Sequence, residues 1–173
     1  AGEFVWALSL GGGDNDYGYG ICFDSTDNVY VTGLYRQMVD FDPGPGVLNL
    51  TSVGIHAAFV MKMNPSGGLI WARSTEGSGY SLGADINTDS AGDVYVAGRF
   101  VGTTDFDPGP GVQNQTSHGN SDIFAWKLST DGDHRWSAGA GGTASDWAEG
   151  LAVDDAGNLV CTGVFDGTVD FDP

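Results

Sequence analysis

The densest chemistry in this chain lies in an acidic heptad. Asp40-Phe41-Asp42-Pro43-Gly44-Pro45-Gly46 returns unchanged from Asp105 to Gly111, and its first four residues return as Asp170-Phe171-Asp172-Pro173. Residues two apart on an extended backbone share a side, so each Asp pair would point one way and the intervening Phe the other, into a core. The Pro-Gly-Pro-Gly tail cannot continue a hydrogen-bonded ladder because proline has no N–H; it bends the chain and leaves carbonyls beside the carboxylates. Oxygen donors of this kind suit calcium, which takes about 6 to 8 of them in flexible geometry. Calcium is therefore the candidate cofactor, with Asp40, Asp42, Asp105, Asp107, Asp170 and Asp172 as its candidate ligands. The same carboxylates suit a second task, which is to accept backbone N–H bonds and shape a turn. Glycoside cleavage suits them less, because it needs two carboxyls flanking one bond and these are copied in several units.

Other reactive groups are scattered. Asp14-Asn15-Asp16 has the composition of a solvated turn. His56, His118 and His134 have no spacing of a metal-site type, no Gly-x-Ser-x-Gly elbow occurs, and no Ser, His and Asp set recurs. The expectation is a protein that is not an enzyme. Asn49-Leu50-Thr51 and Asn114-Gln115-Thr116 match the N-glycosylation acceptor pattern, which makes Asn49 and Asn114 weak candidates for modification. Cys22 and Cys161 lie in strand-like runs and read as buried free thiols.

Charge narrows the partners. The 173 residues hold 23 Asp and Glu against 6 Lys and Arg, a formal net charge of -17. Phosphate backbones and anionic lipid surfaces would be repelled, so nucleic acid is excluded as a partner. No apolar run reaches the roughly 18 residues that would insert in a bilayer as a helix. Apolar residues at 40% still suffice to build a core, and 29 Gly favour turns and short strands over helices.

These residues are positioned by a repeat. Trp6, Trp71 and Trp136 are 65 apart, as are Gly33, Gly98 and Gly163, and the register never slips. Within a unit, Ile21-Cys22-Phe23-Asp24 and Val29-Tyr30-Val31-Thr32-Gly33 flank a polar turn and read as a hairpin. The hairpin returns at Ile86 to Gly98 and at Leu151 to Gly163, where Gly and Asn supply the positive φ of a tight turn. A third strand is expected at Ala58 to Met63 and Ile123 to Leu128, and a fourth, holding the Trp, at Leu69 to Ser74 and His134 to Ala138. Four strands on short turns make one antiparallel sheet, and such sheets packed face to face around an axis make a propeller. The recurrent Trp would wedge between sheets, and Lys62 and Lys127 would each pair with a repeated Asp.

The run of a Trp strand, a Gly-rich turn, Ile-x-x-Asp-Ser-x-x-Asn-Val-Tyr-Val-x-Gly, Asp-Phe-Asp and Phe-x-x-Lys-Met/Leu resembles the bacterial seven-bladed propeller repeats (SBBP) over the whole chain. The resemblance implies an all-β propeller of four-stranded antiparallel blades, with the hairpin nearest the axis and the Trp strand outermost. The expected division is an outer strand and turn at 1–20, full blades at 21–85 and 86–150, and an inner hairpin at 151–173. That makes an incomplete ring, so a piece of a larger propeller, or subunits that complete a ring together, is expected. The connection from about Tyr35 to Ala57 is long for neighbouring strands. The leading expectation for function is a noncatalytic scaffold, extracellular or at the cell surface, that contacts other protein chains, matrix or the remaining blades of its own propeller. The alternatives are a carbohydrate-binding or polysaccharide-degrading propeller, and a subunit of a surface filament or ring-forming oligomer. Tyr and Trp gathered on one rim would favour carbohydrate; packing between sheets would favour the scaffold.

Overall fold

The structure, a computed structural model, describes residues 2–169 and 171. The first unit contains β1 (Tyr17–Phe23), β2 (Val29–Tyr35), β3 (Met38–Asp40), β4 (Asn49–Thr51), β5 (Ala57–Met63) and β6 (Leu69–Ser74). The second contains β7 (Glu76–Gly77), β8 (Tyr80–Thr88), β9 (Val94–Val101), β10 (Thr103–Asp105), β11 (Asn114–Thr116), β12 (Asp122–Leu128) and β13 (His134–Ala140). β14 (Trp147–Val153) and β15 (Leu159–Val164) follow. No described residue is helical.

The sheets are the blades of a propeller. β1-β2-β5-β6 form one antiparallel sheet, β8-β9-β12-β13 the second, and β14-β15 the hairpin of a third. The inner strands β1, β8 and β14 pack side by side, so the blades converge there. No hydrogen bonds among the described residues close the ring. Between the first two blades lies a core that holds Tyr30, Val60 and Trp71 from one side and Ile86, Val96, Phe124 and Trp126 from the other. A second core, with Met61, Phe59, Phe41 and Tyr35, lies on the opposite face of the first blade under Trp6 and Leu10.

Each inner strand starts earlier than its apolar run suggested, at Tyr17, Tyr80 and Trp147 rather than at Ile21, Ile86 and Leu151. A bulge in the glycine-rich start conceals the alternation: the pairing slips between Gly18 and Gly20, between Gly83 and Asp85, and between Ala148 and Gly150. The recurrent glycine opposite explains how the bulge fits. A Cβ on Gly33, Gly98 or Gly163 would strike the carbonyl of Tyr17, Leu82 or Trp147 respectively.

Two further expectations change. The long connection from Tyr35 to Ala57 is not plain loop; β3 and β4 form a hairpin within it, and β10 and β11 repeat that hairpin with β7 added at its edge. The outer strand expected around Trp6 does not form, since residues 2–16 contain no strand. A fourth strand needs a third beside it, and no described residue supplies one.

Candidate interaction site

The acidic heptad is the tip of the added hairpin. Phe41 is buried against Tyr35 and Phe59, with ring centroids 5.2 and 5.0 Å away. Phe106 is buried likewise, 5.0 Å from Phe124 and 6.0 Å from Trp126. The Phe thus anchors the hairpin, as its alternation with the aspartates predicts. The carboxylates fold the tip. Asp40 Oδ1 accepts N–H bonds from Asp42 (3.0 Å) and Leu48 (2.8 Å), and Asp105 Oδ1 accepts them from Asp107 (2.9 Å) and Gln113 (2.7 Å). Asp42 Oδ1 accepts from Gly44 and Asp107 Oδ1 from Gly109. Among the described residues no group of three or more His, Cys, Asp or Glu is arranged to hold an ion, so the calcium reading rests on the charge excess. Asp170 and Asp172 lie outside the described residues. Asn49 and Asn114 open β4 and β11 and are exposed.

The recurrent lysine does pair with a repeated aspartate, and in the interior rather than on the surface. Lys62 Nζ lies 3.8 Å from Asp24 and 5.0 Å from the centre of the Tyr30 ring, while Tyr30 donates its hydroxyl to the same carboxylate at 3.1 Å. Lys127 repeats this with Asp89 at 3.4 Å, Asp93 at 3.0 Å and the Tyr95 ring at 4.6 Å. Burial opposes charge on Asp24, yet hydrogen bonds from Asn28 and Thr26 hold its carboxyl well below the usual carboxylate range. The same balance, with Asp93, Tyr95 and Ala91 as donors, lowers Asp89. Burial pulls Lys127 down, but Tyr95 and Asp93 outweigh it and raise its pKa. Burial raises the Tyr30 hydroxyl strongly.

These side chains also join blades. Lys62 donates to the backbone carbonyl and hydroxyl of Thr130 in the next blade, and Trp71 Nε1 donates to the same carbonyl at 3.0 Å. One repeat earlier Trp6 Nε1 donates to the Pro65 carbonyl at 2.9 Å, so the Trp of one unit pins the outer turn of the following one. Arg73 stacks on Trp71 and donates to the Gly132 and Asp131 carbonyls. Trp136 has no such turn to meet among the described residues: it is 37% exposed where Trp71 is 7%.

A second set of pins was not legible in the sequence. Asp146 is buried; its Oδ2 accepts from the Gly142 N–H at 2.8 Å and its Oδ1 from the Asp166 N–H at 2.9 Å. Its repeat counterpart Asp16 does the same with Gly12 and Arg36, and Asp14 pairs with Arg36 at 3.3 Å. Asp14-Asn15-Asp16 is therefore a tied crossing and not the solvated turn its composition suggested. In the second unit Ser81 takes this place and accepts from the Ala58 N–H of the preceding blade. Because Asp and Ser alternate in this column, no repeated residue type marked it.

The ends of the blade stack present apolar surface. Ile21 and Phe23 are exposed on β1, while Val160, Val164 and Phe165 are exposed at β15. Between the second blade and the last hairpin a cavity of about 790 Å³ is lined by Ile123, Trp136, Leu159, Cys161 and Phe165, among others. Cys161 is exposed at this cavity, contrary to the buried thiol expected of it, because no blade among the described residues covers its strand. Cys22 is half-buried against the inter-blade core, and burial pushes its thiol up to about 12.

Comparison with known proteins agrees with this architecture. The model of the SBBP beta-propeller repeat family matches residues 5–34, which take in β1, the turn and most of β2. The fold is that of a β-propeller built of repeated blades. The propeller chain is also similar to an uncharacterized WD repeat-containing protein of Acanthamoeba polyphaga mimivirus, at 28% identity over 94% of the chain. The chain spans 13% of that relative's length.

Proposed function

We propose that this chain is a noncatalytic propeller scaffold, extracellular or at the cell surface, whose open faces receive protein or matrix partners or further blades. The observation that carries this reading is how the polar groups are used. The recurrent Lys, Trp and Asp side chains are committed to joining strands and blades, while apolar faces with Ile21 at one end and Val160 at the other remain uncovered. Exposed apolar surface of this kind marks an interaction site. The acidic composition, whose self-repulsion a salt-rich medium screens, supports the location.

Photo-crosslinking in the native setting tests the reading, with a benzophenone amino acid placed at position 21 or 160. The expected adducts are protein or matrix segments, and protease applied to intact cells should remove the chain. An absence of adducts at both positions, or full protection from the protease, would overturn it.

A further inference from the structure

The aromatic residues of this propeller are not all packed between sheets. Each of the three inner strands opens on one: Tyr17 on β1, Tyr80 on β8 and Trp147 on β14. These strands occupy equivalent places in successive blades and lie side by side; Trp147 is in the repeat column of Tyr17 and Tyr80 stands two residues before it, so all three are at the same end of the inner strands. Tyr19 joins them. It is the unpaired residue of the β1 bulge, and its ring stacks on Tyr17 with centroids 6.0 Å apart and planes at 19°. Tyr17 is 47% exposed and Tyr19 52%.

A cation sits in the same place. The Arg99 guanidinium lies 5.4 Å from the centre of the Tyr80 ring and donates weakly to its hydroxyl at 3.4 Å. No carboxylate pairs with Arg99 among the described residues, even though acidic groups outnumber basic ones 23 to 6. Burial raises the pKa of the Tyr19 hydroxyl, with Tyr80 and Tyr17 adding to the rise and Arg99 opposing it. His56 closes one side with its ring 5.3 Å from that of Tyr80. At the same end of β14, Trp147 donates its indole N–H to Glu149.

The repeat gives no structural reason for Tyr19, Arg99 and Tyr80, whereas the column of Tyr17 also holds Leu82 and Trp147 and is apolar in every unit. The positions of Tyr19, Arg99 and Tyr80 in the other units hold Ala84 and Glu149, Leu34 and Val164, and Asn15 and Ser145. Residues that hold blades together recur at 65-residue spacing, whereas these break the pattern in one place. Their hydroxyls also differ in use: Tyr30 and Tyr95 donate to the half-buried Asp24 and Asp89, while Tyr17 and Tyr19 are about half exposed.

The geometry points to a saccharide-binding site at this end of the inner strands, formed by Tyr17, Tyr19, Tyr80 and Arg99 and extending toward Trp147, that takes a neutral oligosaccharide. Aromatic faces receive the C–H face of a pyranose ring, and tyrosine adds a polar edge beside it. A guanidinium presents a planar fork of donors, which suits adjacent sugar hydroxyls. A site spread across successive blades fits an extended chain of sugar units. The net charge of -17 disfavours a polyanion, which selects neutral sugars over uronates.

Saturation-transfer NMR on the 173-residue chain, with neutral glucan, mannan and galactan oligosaccharides beside an oligouronate, tests the assignment. Transfer to at least one neutral fragment is expected. Tyr17→Ala and Tyr19→Ala should each weaken it about tenfold, and Arg99→Lys should weaken it while keeping the charge, because the fork is lost. Ile70→Ala, exposed on the outer strand β6, should leave it unchanged. A thermal melt of each variant separates lost binding from lost fold, and Arg99→Lys carries the test should a tyrosine variant unfold. Transfer to no fragment, transfer to the oligouronate alone, indifference to both tyrosine variants and to Arg99→Lys, or use of these tyrosines by a protein partner with no sugar bound would each overturn the proposal.

Discussion

At the scale of single residues, the contacts that hold the propeller combine charge with aromatic surface. Lys62 and Asp24 are both nearly buried, so removing the lysine leaves a carboxylate that has lost its counter-charge in the interior. Lys62→Met should therefore destabilise the chain by about 3 kcal/mol in urea denaturation. Lys127→Met should cost less, since Lys127, Asp89 and Asp93 are closer to solvent. Acidity reads the same groups. The folded-state pKa values of Asp24 and Asp89 are depressed, so their stabilisation is complete above the unfolded aspartate value of about 3.9 and is lost as pH falls toward the folded ones. Urea midpoints should drop between pH 6 and pH 2 in the parent chain (~4 units across the aspartate range) and drop less in Asp24→Asn and Asp89→Asn. Trp71→Ala should cost about 3 to 5 kcal/mol, and Trp136→Ala much less, because among the described residues Trp71 meets the turn of the next blade and Trp136 meets none.

At the scale of elements, the added hairpin shows how far the sequence could be read. Its Phe was legible as an anchor because it alternates with charges, and Phe106→Ala should cost about 3 to 5 kcal/mol, as other large core truncations do. The hairpin itself was not legible, because β3, β4, β10 and β11 are three residues each, too short to show a period of two. The aspartates read equally as cation ligands or as turn formers, since both tasks need the same oxygens. The structure places backbone N–H groups on Oδ1 of Asp40 and Asp105, and that work requires no ion. Chelation should therefore leave the melting temperature of the parent chain where it is, and Asp105→Ala should lower it in the presence or absence of calcium. A calcium-dependent rise would assign the carboxylates a cation instead. The blade order was readable for a different reason: strands of six to nine residues with a conserved 65-residue spacing carry both a local and a long-range signal. The Asp16, Ser81 and Asp146 crossings and the tyrosine rim escaped because each depends on a residue that changes between units.

At the scale of the molecule, repetition makes the two ends of the blade stack complementary. The face of β1 that carries Ile21 and Phe23 is the counterpart of a surface that, one unit later, is covered by the preceding blade. The opposite end, around Trp136 and Phe165, corresponds to a surface covered by a following blade. Two copies could thus meet head to tail through unlike faces, a geometry that closes into a ring or continues as a filament according to the rotation per step. Against this stands repulsion between chains of charge -17, which salt screens over about 8 Å at physiological ionic strength. The chain prepared by itself should therefore exceed the monomer mass in light scattering, and more so as salt is raised. Val160→Lys, on the exposed side of β15, should return it to the monomer without changing how its inner blades melt, because that side chain touches no buried core. A monodisperse monomer at every salt concentration would refute association through these faces and would leave further blades, or a different protein, as their occupant.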